Sequence, residues 1–149
     1  MKAGILDIAP IAAALRIAMP DLVEVGTAGS FGALTRETIR YPSAHIIPLA
    51  ESPGPNRYES GKILSQRVAA RFGVVWAVRD IGDRKGSIAN GDIRAVRLAG
   101  LMAICRIEPL DAESACEPVS GKLVSTIDRK GQMLWQDDFT VTLNRHIPL

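Results

Sequence analysis

The 149-residue chain is poor in the residues that carry most protein chemistry: it has two cysteines, two histidines, two tryptophans and two tyrosines. Cys105 and Cys116 form no C-x-x-C pair and have no histidine at ligand spacing, so the sequence indicates neither a secreted disulfide framework nor a zinc site. Reduced thiols in a cytosol fit better. Long apolar runs are also missing, and none approaches the ~20 residues that a membrane-spanning helix needs. The opening "MKAGILDIAPIAAALRIAMPDL" is broken by Asp7, Pro10 and Arg16 and is followed by no clean small-residue cleavage site, which argues against a signal peptide. Nor does one sign of charge dominate. Eighteen Lys and Arg against sixteen Asp and Glu leave a net charge of +2, whereas a dedicated DNA-binding domain usually concentrates a basic stripe. Repeats and low-complexity tracts are absent.

What is there describes an ordinary soluble globule: 47% hydrophobic and 23% charged residues. A chain of this length can bury roughly 68–70% of the surface it exposes when unfolded, enough for one core without a metal or disulfide. One domain over residues 1–149 is expected.

Apolar residues at three- and four-residue steps (Ile8, Ile11, Leu15, Met19) predict a helix over 8–19, with Asp7 as N-cap, Pro10 in the first turn and Pro20 ending it. "LVEVG" and "SAHIIPLA" (43–50) predict strands, Pro48 marking an edge or an end. In "QRVAARFGVVWAVRD", alternation places Val68, Ala70, Phe72, Val74, Trp76 and Val78 on one face of a strand. Arg67, Ala69, Arg71, Gly73, Val75, Ala77 and Arg79 fall on the other. Residues 88–106 predict a second helix, capped by Ser87 or Asn90 and apolar around enough of its circumference to be buried on more than one side. "PLDAESACEPVSG" reads as a loop. The last stretch reads as a hairpin turning at Arg129–Gly131. The expected class is α+β: an antiparallel or mixed sheet, with a C-terminal hairpin, packed against two main helices.

Searches for a site give little. "AGSFG" (28–32) has Ala28 where a nucleophile elbow needs glycine. "GDRKGS" (82–87) has lysine before glycine, the wrong order for a phosphate loop. Asp137 and Asp138 are adjacent on a strand, so they point to opposite faces and cannot converge as a catalytic pair. No catalytic, cofactor-binding or metal-ligating residue is assigned, and no cofactor is expected. The arginines remain: Arg67, Arg71 and Arg79 share a strand face and Arg57 lies in "ESPGPNRYESG" (51–61). They are open to three readings: a solvated face, a surface for another subunit's carboxylates, or one for passing DNA.

Taken together, "PSAHIIPLAESPGPNRYESGKILSQRVAARFGVVWAVRD" and "GKLVSTIDRKGQMLWQDDFTV" resemble the tail terminator proteins of tailed bacteriophages and related prophages of the Mu-like group. The likeness rests on the P-x-A-x-I-I-P-L strand, the GPNR turn, the Q-R-V-x-x-R-F-G-V-V strand and Leu134–Phe139, and it covers almost the whole chain. It implies a virion structural protein that forms a ring, usually of six, at the head-proximal end of the tail tube. Such a ring stops tube polymerisation and meets the tube protein on one side and the head-completion or connector protein on the other. Genomic DNA passes through its lumen without sequence-specific binding. Under this resemblance "ESPGPNRYESG" becomes an assembly loop, whose prolines reduce the entropy lost on ordering and whose Arg57 and Tyr58 are residue types favoured at interface hot spots. The candidate subunit-interface residues are Arg57, Tyr58, Arg67, Arg71, Arg79, Asp137 and Asp138; Arg67, Arg71 and Arg79 are expected to pair mainly with carboxylates of a neighbouring subunit or of the same sheet, Glu37, Asp137 and Asp138 being candidates. Another head–tail connector or neck subunit, or a small cytosolic enzyme with a dispersed site, remains an alternative at this point.

Overall fold

The computed structural model describes residues 1–27, 39–79, 87–125 and 131–149, and of residues 87–91 the backbone alone. The expected elements falling elsewhere ("AGSFG", most of "GDRKGS", the Arg129–Lys130 turn, Glu37) and the proposed Ser87 and Asn90 caps lie outside the described residues. The order is α1 (Ala9–Ala18), β1 (Glu24–Thr27), β2 (Ser43–Pro53), β3 (Ile63–Arg79), α2 (Ser87–Ile104), β4 (Glu117–Ser125) and β5 (Gln132–Pro148). The strands form one mixed sheet in the order β1-β2-β3-β5-β4, parallel between β1 and β2 and antiparallel elsewhere. This is the expected α+β architecture.

Helix α1 starts where Asp7 Oδ1 accepts the Ala9 N–H at 3.0 Å, one position before the formal N-cap, Ile8. It buries Ile11, Ala12 and Leu15 and stops before Pro20, which has no N–H to continue it. Arg16 Nη2 then donates to the Val25 carbonyl at 2.7 Å, tying the last turn to β1. The alternation read in β3 holds. Val68, Ala70, Phe72, Val74, Trp76 and Val78 are all buried beneath the helices, with Phe72 stacked on Phe139 of β5 at 5.3 Å. On the opposite face a smaller cluster gathers Ile39, Val75, Ala77 and Leu134.

Three expectations need correction. Strand β2 runs on to Pro53, because β3 offers Ala69 and Val68 as partners for Ser52 and Pro53. Among the described residues β1 pairs with β2 up to Ile46, and Pro48 lies past that pairing, where its missing N–H takes nothing from β1. The loop expected at 109–121 ends early, since Glu117–Gly121 pair with β5 as part of β4. Finally, α2 buries Ile93, Gly100 and Ile104 but leaves Leu98 and Met102 more than half exposed. Over residues 92–104 it has one covered side, not two.

Candidate assembly surface

Beyond the end of β1, strands β2 and β3 continue as an arm whose connection contains Arg57 and Tyr58. The connection is built by its own hydrogen bonds. Asn56 Oδ1 accepts the N–H groups of Ser65 (2.9 Å) and Tyr58 (3.3 Å), while Asn56 Nδ2 donates to the Ile63 carbonyl at 3.2 Å. Gly54 N–H donates to the Arg67 carbonyl (2.7 Å) and Arg57 N–H to that of Ser65 (2.8 Å). Gln66 Nε2 closes the arm on the Gly54 carbonyl at 2.7 Å. Gly61 takes a left-handed turn at φ 69°, open to glycine at no steric cost. Tyr58 stands edge-on to His146 with ring centroids 6.2 Å apart, yet remains 47% exposed. Arg57 is exposed beside it. The arm therefore presents an arginine and a tyrosine on a backbone already fixed.

Arg67, Arg71 and Arg79 project from the same face of β3, all exposed. The pairing expected for Arg67 is not the one found: its Nε donates to Glu113 Oε1 at 2.7 Å, a solvent-exposed bridge of the kind worth only about 0–1 kcal/mol. Arg71 lies opposite Thr140 and Arg79 opposite Gln132, not opposite a carboxylate. Asp138 faces the same side of the sheet, where its carboxylate accepts from Gln136 Nε2 (2.7 Å) and Ser120 Oγ (3.3 Å) across Gly73.

Asp137 departs furthest from expectation. It is 3% exposed, and its carboxylate is taken up inside the chain. Oδ2 accepts from Trp76 Nε1 (3.0 Å) and Arg97 Nε (2.9 Å); Oδ1 accepts from Arg97 Nη2 (2.8 Å) and Trp135 Nε1 (3.0 Å). The fork-shaped guanidinium meets both oxygens, the strong geometry for this pair, and also lies over the Trp135 ring at 4.5 Å. Gly121 of β4 must be small here, for a Cβ would sit 2.8 Å from Asp137 Oδ1. This cluster clamps α2 to the sheet, so Asp137 has no free oxygen for a neighbouring subunit. Arg97 was missed in the sequence. Alternation alone could place Trp135 and Asp137 on one face, but only the β3–β5 register sets Trp135 against Trp76, and nothing local marks Arg97 as their partner.

Burial favours the neutral forms of Cys116 and His45. Burial, with the nearby Cys105 thiol adding to it, pushes Cys116 up to about 11, far from the lowered values of reactive thiolates. Burial also pushes His45 below its usual 6.5, partly offset by Glu24; its Nε2 lies 3.1 Å from Ser43 Oγ. Among the described residues no three His, Cys, Asp or Glu side chains group as metal ligands.

An ordered arm carrying Arg57 and Tyr58, an arginine-bearing sheet face and exposed apolar side chains on α2 are surface features of the kind found where proteins meet other proteins. Comparison with known families gives the particular kind. The family model described as "Phage tail terminator protein" matches residues 1–148, and the chain belongs to that family. It is a phage tail structural protein, of the virion tail and its assembly. A comparison with curated proteins found no match.

Proposed function

We propose that this chain closes into a ring, of six copies, on the last ring of the tail tube at the head-proximal end. There it stops polymerisation and presents its other side to the head-completion protein, having been made in the host cytoplasm. The observation that carries this reading is the arm. Asn56 holds the 54–65 connection in one conformation, so Arg57 and Tyr58 lose little further entropy when a neighbour covers them. Of the three β3 arginines, Arg71 and Arg79 are offered to carboxylates across a subunit boundary, Arg67 being bridged to Glu113 within the chain. The same arginines, with a net charge of only +2, give passing DNA no dense row of cations to hold it.

The test pairs assembly with folding. Replacing Arg57 and Tyr58 together by Ala should change stability by no more than about 0.5 kcal/mol, as is usual for exposed positions, while removing ring formation or tube capping in electron micrographs. Normal capping by the double variant would refute the role given to the arm. A salt titration checks the lumen: submicromolar duplex affinity near physiological salt with a steep salt slope would instead show a phosphate-binding face.

A further inference from the structure

Leu110 is 85% exposed, at the corner of a turn that is held more firmly than a surface loop needs. Ala112 N–H closes the turn on the Pro109 carbonyl at 3.0 Å, and Asp111 occupies its third position at φ 67°, a left-handed conformation that favours glycine. Asp111 is anchored on both sides: its Oδ2 accepts the Gly4 N–H at 3.2 Å and its carbonyl accepts the Asn144 N–H at 2.8 Å. Ala112 bridges to Leu143, and Glu113 N–H donates to the Thr142 carbonyl at 2.9 Å. The turn is therefore clamped along β5, with an exposed leucine at its tip and the exposed carboxylate of Glu108 beside it.

The same chain carries a receptor of matching character. Between the end of α1 and the outer side of α2, a hollow of about 250 Å³ is lined by Ala18, Ala99, Met102, Ala103 and Arg106. It has no carboxylate in its wall, and its floor of alanines leaves room for a branched side chain. A second hollow sharing Ala18 and Ala99 continues toward Asp21, so the furrow is basic at the Arg106 end and acidic at the other. The bonds to Gly4, Asn144 and Thr142 hold Leu110 turned to solvent, 85% exposed, rather than folded over this hollow.

We propose that the occupant is a second copy of this chain: Leu110 of one subunit seats in the Ala18–Ala99–Met102 hollow of the next, with Glu108 directed to Arg106. A contact in which one knob enters one hollow propagates head-to-tail from copy to copy and closes into a ring when the rotation allows, whereas a two-fold pair would engage both knobs and both hollows at once. The proposal rests on the ring reading and names one of its junctions.

The experiment uses full-length protein in a Cys105→Ala, Cys116→Ala background, mixing a Leu110→Cys copy with an Ala99→Cys copy under mild oxidation. The expected result is a mixed disulfide dimer forming at least about tenfold faster than between Leu110→Cys and Ala13→Cys, an exposed control position, because a docked pair raises the effective thiol concentration. Equal rates would overturn the contact. Glu108→Arg should slow the reaction, and adding Arg106→Glu to the Ala99→Cys copy should restore it. A photoreactive benzophenone residue in place of Leu110, with its products mapped by mass spectrometry, supplies a route that keeps both native cysteines. Cross-links outside residues 95–106 and 17–22 would count against the hollow. Electron microscopy of tubes incubated with the same proteins separates the two claims. Rings without the Leu110–Ala99 link would remove this junction and leave the ring; the link without rings would keep the junction and remove the ring.

Discussion

Replacing Asp137 by Asn tests whether the buried carboxylate clamps α2 to the sheet. The substitution preserves shape but converts one oxygen into an amide nitrogen, and each oxygen receives two donors. Whichever way the amide turns, its NH₂ faces two N–H groups, one from an indole and one from Arg97. Leaving a buried donor unsatisfied costs about 1–3 kcal/mol, and the charge-assisted character of the Arg97 bonds is lost as well. A total of about 3 kcal/mol follows, below the roughly 3–5 kcal/mol expected when one partner of a buried pair is removed outright, because Arg97 is about one-third exposed and can turn toward water. At about 2–4 °C per kcal/mol for a domain of this size, the midpoint should fall by roughly 6–12 °C. Urea denaturation followed by tryptophan fluorescence reads stability and the surroundings of Trp76 and Trp135 together. A double-mutant cycle with Arg97→Met should give a coupling above about 1 kcal/mol, as for residues in one network. A drop of less than 2 °C, or additive single effects, would show that the carboxylate is not what holds these donors, and the account of the cluster would fail.

Gly100→Ala puts a methyl group into the Trp76 ring; overpacking of this kind costs about 1–3 kcal/mol, and a near-UV circular dichroism spectrum unchanged from the parent would contradict the packing. Asn56→Ala removes three loop hydrogen bonds, so limited proteolysis should cut faster within residues 54–62 while the thermal midpoint moves little. His45 gives a pH dependence of fixed sign. Its native pKa lies below the ordinary 6.5 because of burial, so the unfolded chain binds the extra proton first as pH falls. Its stabilising contribution is complete above about pH 6.5 and declines below it, by at most about 1.4 kcal/mol per pH unit, until the native imidazole titrates as well. Melting curves from pH 7.5 to 5.5 should show the decline, and His45→Gln should flatten it; a parent protein growing more stable over that interval would reverse the assignment.

Local pattern was enough for much of the fold. The period-two alternation from Val68 to Val78 fixed which side chains of β3 face the helices, because a one-residue slip would carry Phe72 and Trp76 to the other side of the sheet. The three-to-four spacing of Ile11 and Leu15 and the prolines flanking them bounded α1 in the same way. The adjacent positions of Asp137 and Asp138 likewise required their side chains to part. Where strands end was less legible. Glu51–Pro53 and Glu117–Gly121 look like loop by composition, and became strand because β3 and β5 supplied partners for their backbones.

The sequence by itself determined the class of the domain, the helix-facing side of its central strand and, through motifs spread along the whole chain, its resemblance to tail terminators. Tertiary structure alone decided which charges pair. Arg67 meets Glu113 across 46 positions and Arg97 meets Asp137 across 40, distances at which no spacing rule operates. The reason is physical: alternation and helical period report which way a side chain points. A salt bridge or a buried hydrogen bond depends on which element the topology brings alongside, and on whether a glycine such as Gly100 or Gly121 leaves room for the approach.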